Sequence, residues 1–594
     1  LKALPLLVKY QCITEQSMQV LKQAYFFLRR SENAIQAFTD SQTQQLPDDE
    51  LNQQRLALHM GFADFSKYLQ TCQQHMLAVN KEFASLIGED AKQNQSVNEH
   101  WQTVWLANWE DDEIATFIGQ YQPTWQCENI ATQLKHFKDE LSKRSIGIRG
   151  QQIIDKLMPI LLQLLTEEED AEITMQRCML VISKIMTRTA YLELLYENNL
   201  AFKQLLNLCR KSAWISEYLS KFPILLDELI DPKMLYSIVE LSDYQSLLSE
   251  SLIRIPEDDL EMQMEGLRQF KQTMQLKIAA ADISGILPVM KVSDHLTALA
   301  QAIINEAINM AWQQMVHRYG QPQSTIGSND KGFAVIGYGK LGGFELGYGS
   351  DLDLVFVHNR DANETTSGEK SISVGHFYLK LAQRILHLFN TRTASGTLYE
   401  VDMGLRPSGN AGLMVVNIDT FSHYQNQDAW VWEHQALVRA RAVAGDQALI
   451  KTYNNVREQV LQISRNELEL KNEVAKMREK MRDHLDSSNQ QHFDIKQGKG
   501  GLADIEFLGQ YLILKNSHSY PQLCKYSDNV RVFESLASEN IIPKAQAQQL
   551  IDAYCCLRDH GHACVLQNLP TKIDNEKFAP IRKTVADIWQ SYME

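Results

Sequence analysis

Two aspartates, Asp351 and Asp353, stand two positions apart in a segment that is otherwise apolar. Leu352 lies between them, and residues 354–357 read Leu-Val-Phe-Val. Such a run predicts a buried β-strand. Because alternate residues of a strand share a face, both carboxylates should point the same way, roughly 7 Å apart. Carboxylate oxygens at that spacing suit one or two Mg²⁺ ions, which prefer hard oxygen ligands.

A third aspartate, Asp402, lies about fifty residues further on, in the strand-like segment 397–403. Transfer of a phosphoryl or nucleotidyl group commonly uses two metal ions about 3.5–4 Å apart, which align the attacking and leaving oxygens. Three carboxylates can hold such a pair. We therefore predict that Asp351, Asp353 and Asp402 are the catalytic and metal-binding residues. The turn that follows contains Arg406, whose planar guanidinium suits phosphate oxygens.

A glycine-rich turn precedes the aspartate pair. Residues 333–336 form an apolar, strand-like run that ends in Gly-Tyr-Gly-Lys-Leu-Gly-Gly at 337–343. Glycine lets backbone N–H groups approach an anion because no Cβ stands in the way. We therefore expect this part of the chain to cradle phosphates. The predicted nucleotide-binding residues are Gly339, Lys340, Gly349, Ser350 and Arg406.

The same residues admit other interpretations. Gly337-x-Gly339-x-x-Gly342 matches the dinucleotide fingerprint, but that unit requires a long helix next, and further glycines up to Gly349 interrupt any helix. A P-loop is excluded because no Gly-Lys-Ser/Thr ends the turn. A hairpin with two solvated aspartates is a common use of Asp-x-Asp. A solvated edge would not, however, need a strand as apolar as residues 352–357.

Taken together, these motifs resemble a known family. Gly339, followed after eleven residues by Asp351-x-Asp353, is similar to the nucleotidyltransferase signature of the DNA polymerase β superfamily. Residues 337–356 resemble, more closely, the C-terminal adenylylating portion of the bifunctional glutamine synthetase adenylyltransferase/adenylyl-removing enzymes. Further similar segments are Asp402-Met403, Leu405-Arg406-Pro407-Ser408-Gly409, Trp432 to Arg441, Gly500-Gly501 and Asp504-Ile505-Glu506-Phe507. Lys340 replaces the wider superfamily's glycine or serine, but it is the residue that this family carries.

The resemblance implies an activity, partners and cofactors. The chain would transfer AMP from ATP, with Mg²⁺, to a tyrosine hydroxyl of glutamine synthetase, releasing pyrophosphate and lowering the activity of the synthetase in nitrogen control. Asp402 would also be placed to accept the hydroxyl proton. PII signal proteins and glutamine would regulate the transfer, through sites that the sequence does not locate. Two alternatives stay open: phosphorolytic removal of AMP at the same metal site, and a catalytically silent scaffold that binds nucleotide or PII.

Composition favours a large cytoplasmic enzyme that does not act on nucleic acid. At 594 residues the chain should form several domains, since single cores stop growing at about 250–300 residues. A net charge of −15 argues against a nucleic-acid partner, which would favour a basic surface. No run reaches the roughly 18 apolar residues of a membrane span, and there is no secretory signal. We therefore expect no membrane association and a cytoplasmic location.

A short repeat indicates two related helical modules. Ala24-Tyr25-x-x-Leu28-Arg29 is echoed by Ala553-Tyr554-x-x-Leu557-Arg558, and a Leu-Pro pair follows each copy. Chance can produce such a match, but the family that the chain resembles has two nucleotidyltransferase units in tandem, each closed by helices. Because the chain opens without methionine, we expect a fragment that begins in the tail of a first unit, whose absent catalytic half would remove AMP by phosphorolysis.

Most of the chain shows apolar residues at three- and four-residue steps, which predicts helices. The expected fold class is mainly α with an α+β nucleotidyltransferase core, in which a small mixed β-sheet is flanked by helical bundles. The expected domains are residues 1–105, the helical tail of a truncated first unit; 106–152, a helical linker and possible regulatory region; 153–317, the helical part of the adenylyltransferase unit; 318–445, the catalytic core; and 446–594, a C-terminal helical domain.

Overall fold

The structure is a computed structural model that describes residues 4–9, 14–39, 46–47, 49–87, 99–361 and 363–593. It is mainly helical and contains a small mixed sheet, which confirms the predicted fold class. Contacts divide the chain into two compact units, residues 1–118 with 155–167, and residues 119–154 with 168–594. None of the described helices is both long and apolar enough to cross a membrane.

Sixteen helices precede the sheet in the described residues. They are α1 Leu4–Lys9, α2 Glu15–Thr39, α3 Glu50–His59, α4 Phe65–Ile87, α5 Glu99–Leu106, α6 Asp111–Tyr121, α7 Cys127–Ser142, α8 Ile148–Leu165, α9 Ala171–Ile185, α10 Thr189–Glu197, α11 Asn199–Lys211, α12 Ala213–Lys221, α13 Pro232–Leu235, α14 Tyr244–Leu252, α15 Leu260–Ile283 and α16 Val289–Tyr319.

The first unit has its own small core. Its buried side chains come from α2, from α3 and the residue that follows it, and from α4. Asp49 caps α3, since its carboxylate accepts a hydrogen bond from the N–H of Asn52. The buried residues of this core are Ala34, Ile35, Leu56, Ala57, Met60 and Tyr68.

The sheet belongs to the second unit. Its strands are β1 Phe333–Gly337, β2 Leu352–His358, β3 Val401–Asp402, β4 Val415–Asn417 and β5 Arg441–Gly445. The order is β3-β2-β1-β5, and β4 also pairs with β2. Strand β1 is antiparallel to β2 and β5, whereas β3 and β4 run parallel to β2. All five strands lie within residues 318–445, where the sequence places the catalytic core. A separate two-stranded antiparallel sheet pairs β6 His492–Asp494 with β7 Lys572–Asp574.

The remaining helices follow β1. They are α17 Gly339–Gly342, α18 Val374–Asn390, α19 Ile418–Gln427, α20 Val431–Val438, α21 Gln447–Leu461, α22 Glu467–Leu485, α23 Leu502–Asn516, α24 Asn529–Ser538, α25 Lys544–Leu566 and α26 Ala579–Met593.

Side chains from helices cover both faces of β1 and β2. On one face, Ile336 and Val355 join a large apolar cluster that includes residues of α19 to α26. On the other face, the ring of Phe333 stacks on Tyr378 of α18, with ring centroids 6.0 Å apart. This explains the continuous apolar sequence of the two strands. Every residue of β1 is buried, and so is every residue of β2 except Asp353.

Candidate active site

The turn between β1 and β2 sets the position of Asp353. It forms the four-residue helix α17, not the long helix that a dinucleotide-binding unit needs. Gly339 begins this helix with φ +54°, a left-handed conformation that favours glycine. A Cβ at Gly339 would lie 2.4 Å from Oδ2 of Asp353. The N–H of Tyr338 also donates to the carbonyl oxygen of Asp353 at 2.9 Å, so the turn and the aspartate are held together.

The structure brings the three predicted carboxylates into one cluster. Asp353 and Asp402 are register partners on the parallel strands β2 and β3, so their side chains share a face of the sheet. The N–H of Leu352 donates to the carbonyl oxygen of Glu400 at 2.9 Å, which fixes this pairing. Burial, together with the nearby charges of Asp351 and Asp402, raises the pKa of Asp353 to about 6. The positive charges of Lys340 and Arg439 offset this shift only in part.

The donor chemistry of this cluster fits Mg²⁺, because all three groups offer hard carboxylate oxygens. Within the described part of the chain, no three His, Cys, Asp or Glu side chains already stand in an arrangement that could hold a metal ion. Asp351 and Asp402 are exposed, so their side chains are free to change rotamer, whereas Asp353 is half-buried against the turn. Oδ1 of Asp402 accepts a hydrogen bond from the N–H of Gly404 at 2.7 Å.

Ser350 closes the turn that leads into β2. Its Oγ accepts a hydrogen bond from the N–H of Gly347 at 3.1 Å, and Nζ of Lys340 lies 3.5 Å from the same oxygen. Gly349, just before it, has φ +70°. Burial, and then the charge of Lys496, lowers the pKa of Lys340. The predicted residues of this turn thus stand beside Asp351 and Asp353.

Arg406 binds its own loop. Its Nη1 donates to the carbonyl oxygen of Met403 at 2.8 Å, and Nη2 donates to that of Asn410 at 3.1 Å. Nε donates to the carbonyl oxygen of Gly412 at 3.4 Å. In this arrangement the guanidinium holds the loop after β3 in shape. Its contact with phosphate stays a prediction.

A buried ion-pair network, which local sequence pattern does not predict, supports the turn from beneath. Arg439 pairs with Glu345 and, at 2.9 Å, with Glu506. Burial alone would lower the pKa of Arg439, but the two carboxylates outweigh it and raise that pKa above its usual range. Nδ2 of Asn529 donates to Glu345 at 3.0 Å. The sequence does contain an indication that Arg439 is buried, because it follows the apolar residues Leu437 and Val438 in the segment similar to the family.

A second arginine braces the back of the glycine turn. The guanidinium of Arg441 lies 3.6 Å from the ring centroid of Phe344. It also donates to the carbonyl oxygens of Leu341 and Gly342, each at 3.2 Å. Phe344 itself has φ +56°, a conformation that is strained for a bulky residue. Arg441 therefore stabilises the turn instead of facing solvent.

A cavity of about 270 Å³ opens beside Lys340 and Ser350. The loop before α23 and α25 contribute apolar walls. The charged residues of the lining are Lys340, Lys496 and Arg558, together with Glu345 and Glu506, which are both paired with Arg439. Nδ1 of His562, which also lines the cavity, is buried without a hydrogen-bond partner. Burial, then Arg558 and Lys340, lowers the pKa of His562 to about 3, so this ring is neutral. The combination of apolar walls, cations and an unused ring nitrogen suits a heterocyclic ligand that carries phosphates.

Comparison with protein-family models agrees with this geometry. Residues 202–456, somewhat under half of the chain, match the model of glutamate-ammonia ligase adenylyltransferase, and this segment contains all three carboxylates. The chain contains a nucleotidyltransferase domain. Residues 1–87 and 469–570 match the model of the GlnD PII-uridylyltransferase.

The second match links two separate segments of the chain to one family model, and each segment contains one copy of the short repeat. The copies differ in their surroundings. Tyr554 is buried and shares the hydrogen-bond network of Asn529 and Glu345, whereas Tyr25 is 50% exposed. Arg558 donates to the carbonyl oxygen of Glu345 at 3.0 Å. In the second unit the repeated motif therefore contacts the turn of the nucleotidyltransferase domain.

Proposed function

We propose that this chain adenylylates glutamine synthetase: it transfers AMP from ATP to a tyrosine hydroxyl of the synthetase and releases pyrophosphate. The observation that carries the proposal is the register pairing of Asp353 with Asp402 beside the glycine turn, within the segment that matches an adenylyltransferase family model. Modification would lower the activity of the synthetase.

Asp351, Asp353 and Asp402 are proposed to hold Mg²⁺ with the triphosphate. When bound, Mg²⁺ supplies positive charge that offsets the phosphate oxygens in the ground state and in the transition state. Asp353 is the fixed member of the three, because Gly339 and the backbone of Tyr338 position it. The exposed Asp351 and Asp402 would turn toward the same ligand.

The glycine turn and the adjacent cavity are proposed to bind ATP. Lys340, close to Oγ of Ser350, supplies a cation for the phosphate oxygens. The nucleoside would enter the cavity between the turn and α25, where His562 offers a ring nitrogen with no other partner. In this arrangement the α-phosphate would lie near the carboxylates, and the apolar walls of the cavity would shield the nucleoside from water.

Asp402 is proposed as the proton acceptor. It is exposed on the short edge strand β3, and an incoming protein hydroxyl can reach it there. The tyrosine oxygen forms a bond to the α-phosphorus, the bond from that phosphorus to pyrophosphate breaks, and the hydroxyl proton moves to the carboxylate. Proximity alone makes such a transfer effectively unimolecular.

PII signal proteins and glutamine are proposed as regulators. The match of residues 1–87 and 469–570 to a PII-uridylyltransferase model supports an association of these helical modules with PII. Neither segment contains the carboxylates, so the match bears on partners rather than on the transfer chemistry. The alternative of a silent nucleotide- or PII-binding scaffold is disfavoured because burial and the charges of Asp351 and Asp402 raise the pKa of Asp353, an arrangement that a scaffold has no need to maintain.

The test uses the purified chain, Mg²⁺, unmodified glutamine synthetase and ATP labelled at the α-phosphate, with and without glutamine and PII. We expect label on a tyrosine of the synthetase and none when the label is on the γ-phosphate. Asp353→Asn should abolish labelling, whereas Asp330→Asn, which removes an exposed carboxylate elsewhere, should not.

Two other outcomes separate the alternatives. Nucleotide binding without any labelling would contradict the proposal and favour the scaffold. Release of ADP from already modified synthetase on addition of phosphate, with no forward labelling, would favour the AMP-removing reaction.

A further inference from the structure

A second, larger cavity lies between the last turns of α16 and the outer surface of α18. It has a volume of about 890 Å³, and none of its lining residues belongs to the carboxylate cluster or to the cavity beside Lys340. Basic and imidazole side chains dominate its polar lining: His317, Arg318, Lys370, Lys380, Arg384 and His387.

The positive charge of this cavity is not balanced within the protein. Glu369 is the one acidic residue among the lining residues. Among the described residues, none of Arg318, Lys370, Lys380 and Arg384 forms an ion pair with a carboxylate. Arg384, which is half-buried, donates to the neutral side chain of Gln314 instead. In a chain with a net charge of −15, such a concentration of unpaired cations is not explained by composition.

The cations of the cavity also repel one another. Burial, and then the charge of Arg318, lowers the pKa of Arg384. Burial, followed by Arg384 and Arg268, lowers the pKa of His387. A bound anion would stabilise the charged forms of these groups, which burial and the neighbouring cations disfavour.

The spacing of the side chains that line the cavity indicates how large its ligand can be. Lys380, Arg384 and His387 follow one another at helical spacing on α18, so they form a row about 10 Å long. The ring of Tyr319 stands between two cations, with Arg318 at 5.3 Å and Lys380 at 6.0 Å from its centroid. A cavity of this volume is typical of small-molecule sites.

We propose that this cavity binds a small anion with several phosphate or carboxylate groups, at a location separate from the catalytic carboxylates. Arg384, oriented by Gln314, offers a planar fork that matches either group. The C-terminal end of α16 contributes a partial negative charge of about half an electron. The positive charges of Arg318, Lys370, Lys380 and Arg384 together exceed it. The inference does not depend on the proposed adenylylation.

The test is isothermal titration of the whole chain with inorganic triphosphate and, separately, with citrate, in buffer without Mg²⁺. We expect at least one of the two to bind, and the double variant Arg318→Gln/Lys380→Gln to weaken that binding by at least tenfold. The matched control is Lys451→Gln/Lys476→Gln, which removes two exposed charges of the same unit and should bind as the wild type does.

A further variant distinguishes the two cavities. Lys340→Gln alters the catalytic cavity and should leave binding at the second cavity unchanged. If Lys340→Gln abolishes binding and the Arg318/Lys380 variant does not, the anion occupies the catalytic cavity and the proposal is wrong. Absence of binding by both probes would overturn it as well. Binding of triphosphate alone identifies a phosphate ligand, and binding of citrate alone identifies a carboxylate ligand.

Discussion

Gly339 faces the carboxylate of Asp353 so closely that a methyl group on its Cα would lie 2.4 Å from Oδ2. The glycine turn is therefore more than a flexible connection. It forms one wall of the pocket in which Asp353 sits, and it leaves room for the carboxylate only because position 339 has no side chain.

The first prediction concerns this contact. Gly339→Ala should reduce AMP transfer by at least 100-fold, because the new methyl group displaces Asp353 and φ +54° is unfavourable for alanine. Gly285→Ala is the matched control: it also has φ +70°, no atom lies within 4 Å of the added Cβ, and Gly285 is not among the predicted site residues. Both variants should lose stability, by about 1–2 kcal/mol. Equal activity in the two variants would show that backbone strain, not displacement of Asp353, matters.

The second prediction concerns pH. Asp282, on α15, accepts a hydrogen bond from the hydroxyl of Tyr348 at 3.0 Å. Burial, and secondarily the charge of Asp559, raises the pKa of Asp282 to about 6, against 3.8 for a free side chain. The folded state therefore holds this proton more tightly than the unfolded state does. Stability from this group is complete below about pH 4 and is lost as the pH rises through 6.

Asp282→Asn should remove the loss of stability that accompanies deprotonation of Asp282. Urea midpoints of the wild type and the variant, compared between pH 4 and 7.5, should diverge as the pH rises, with the variant more stable by on the order of 1 kcal/mol at pH 7.5. Asp330→Asn, at an exposed aspartate, should follow the wild type over the same range. A difference between Asp282→Asn and wild type that does not change with pH would refute the assignment.

The third prediction concerns the buried network under the turn. Arg439→Met should destabilise the second unit by about 3–5 kcal/mol, since it leaves the buried carboxylate of Glu345 without its cation. Combining it with Glu345→Gln should recover part of the loss. The double-mutant cycle is measured by urea unfolding, and Lys291→Ala, which breaks an exposed ion pair with Asp294, should cost less than about 1 kcal/mol. Additive effects of Arg439→Met and Glu345→Gln would contradict the coupling.

Some features of the candidate site follow from local sequence pattern alone. Spacing and polarity were enough to predict the strand that contains Asp353. Asp402 was chosen because two-metal transfer calls for a third carboxylate, and the structure pairs it in register with Asp353. A charged residue inside an apolar strand leaves few structural solutions. The absence of a long helix after Gly339 was also predicted correctly, because glycines interrupt helices.

Partners that are distant in the chain could not be predicted in this way. Nothing in the sequence around Arg439 identifies its carboxylate partners, which lie 94 residues before it and 67 residues after it. Local pattern also does not reveal whether an arginine next to a turn points outward or, as Arg406 does, back onto its own loop.

The fourth prediction distinguishes two roles for Arg406, namely holding its own loop and binding phosphate. If the guanidinium holds the loop after β3, Arg406→Lys should increase proteolysis of residues 403–412, because an ammonium cannot bridge the carbonyl oxygens of Met403, Asn410 and Gly412 together. If it binds phosphate instead, lysine should keep the loop intact and raise the KM for ATP. Limited proteolysis and steady-state kinetics on the same preparation distinguish these results.

The last prediction concerns the nucleoside cavity. His562 has a buried Nδ1 without a partner, an arrangement that costs stability unless a ligand uses it. His562→Phe should therefore raise the melting temperature of the free chain while increasing the KM for ATP about tenfold, with a smaller change in kcat. His560→Phe, two residues away on α25 and outside the cavity lining, is the matched control and should leave the KM unchanged. An unaltered KM in His562→Phe would mean that the nucleoside lies elsewhere. A similar increase in both variants would indicate a general disturbance of α25.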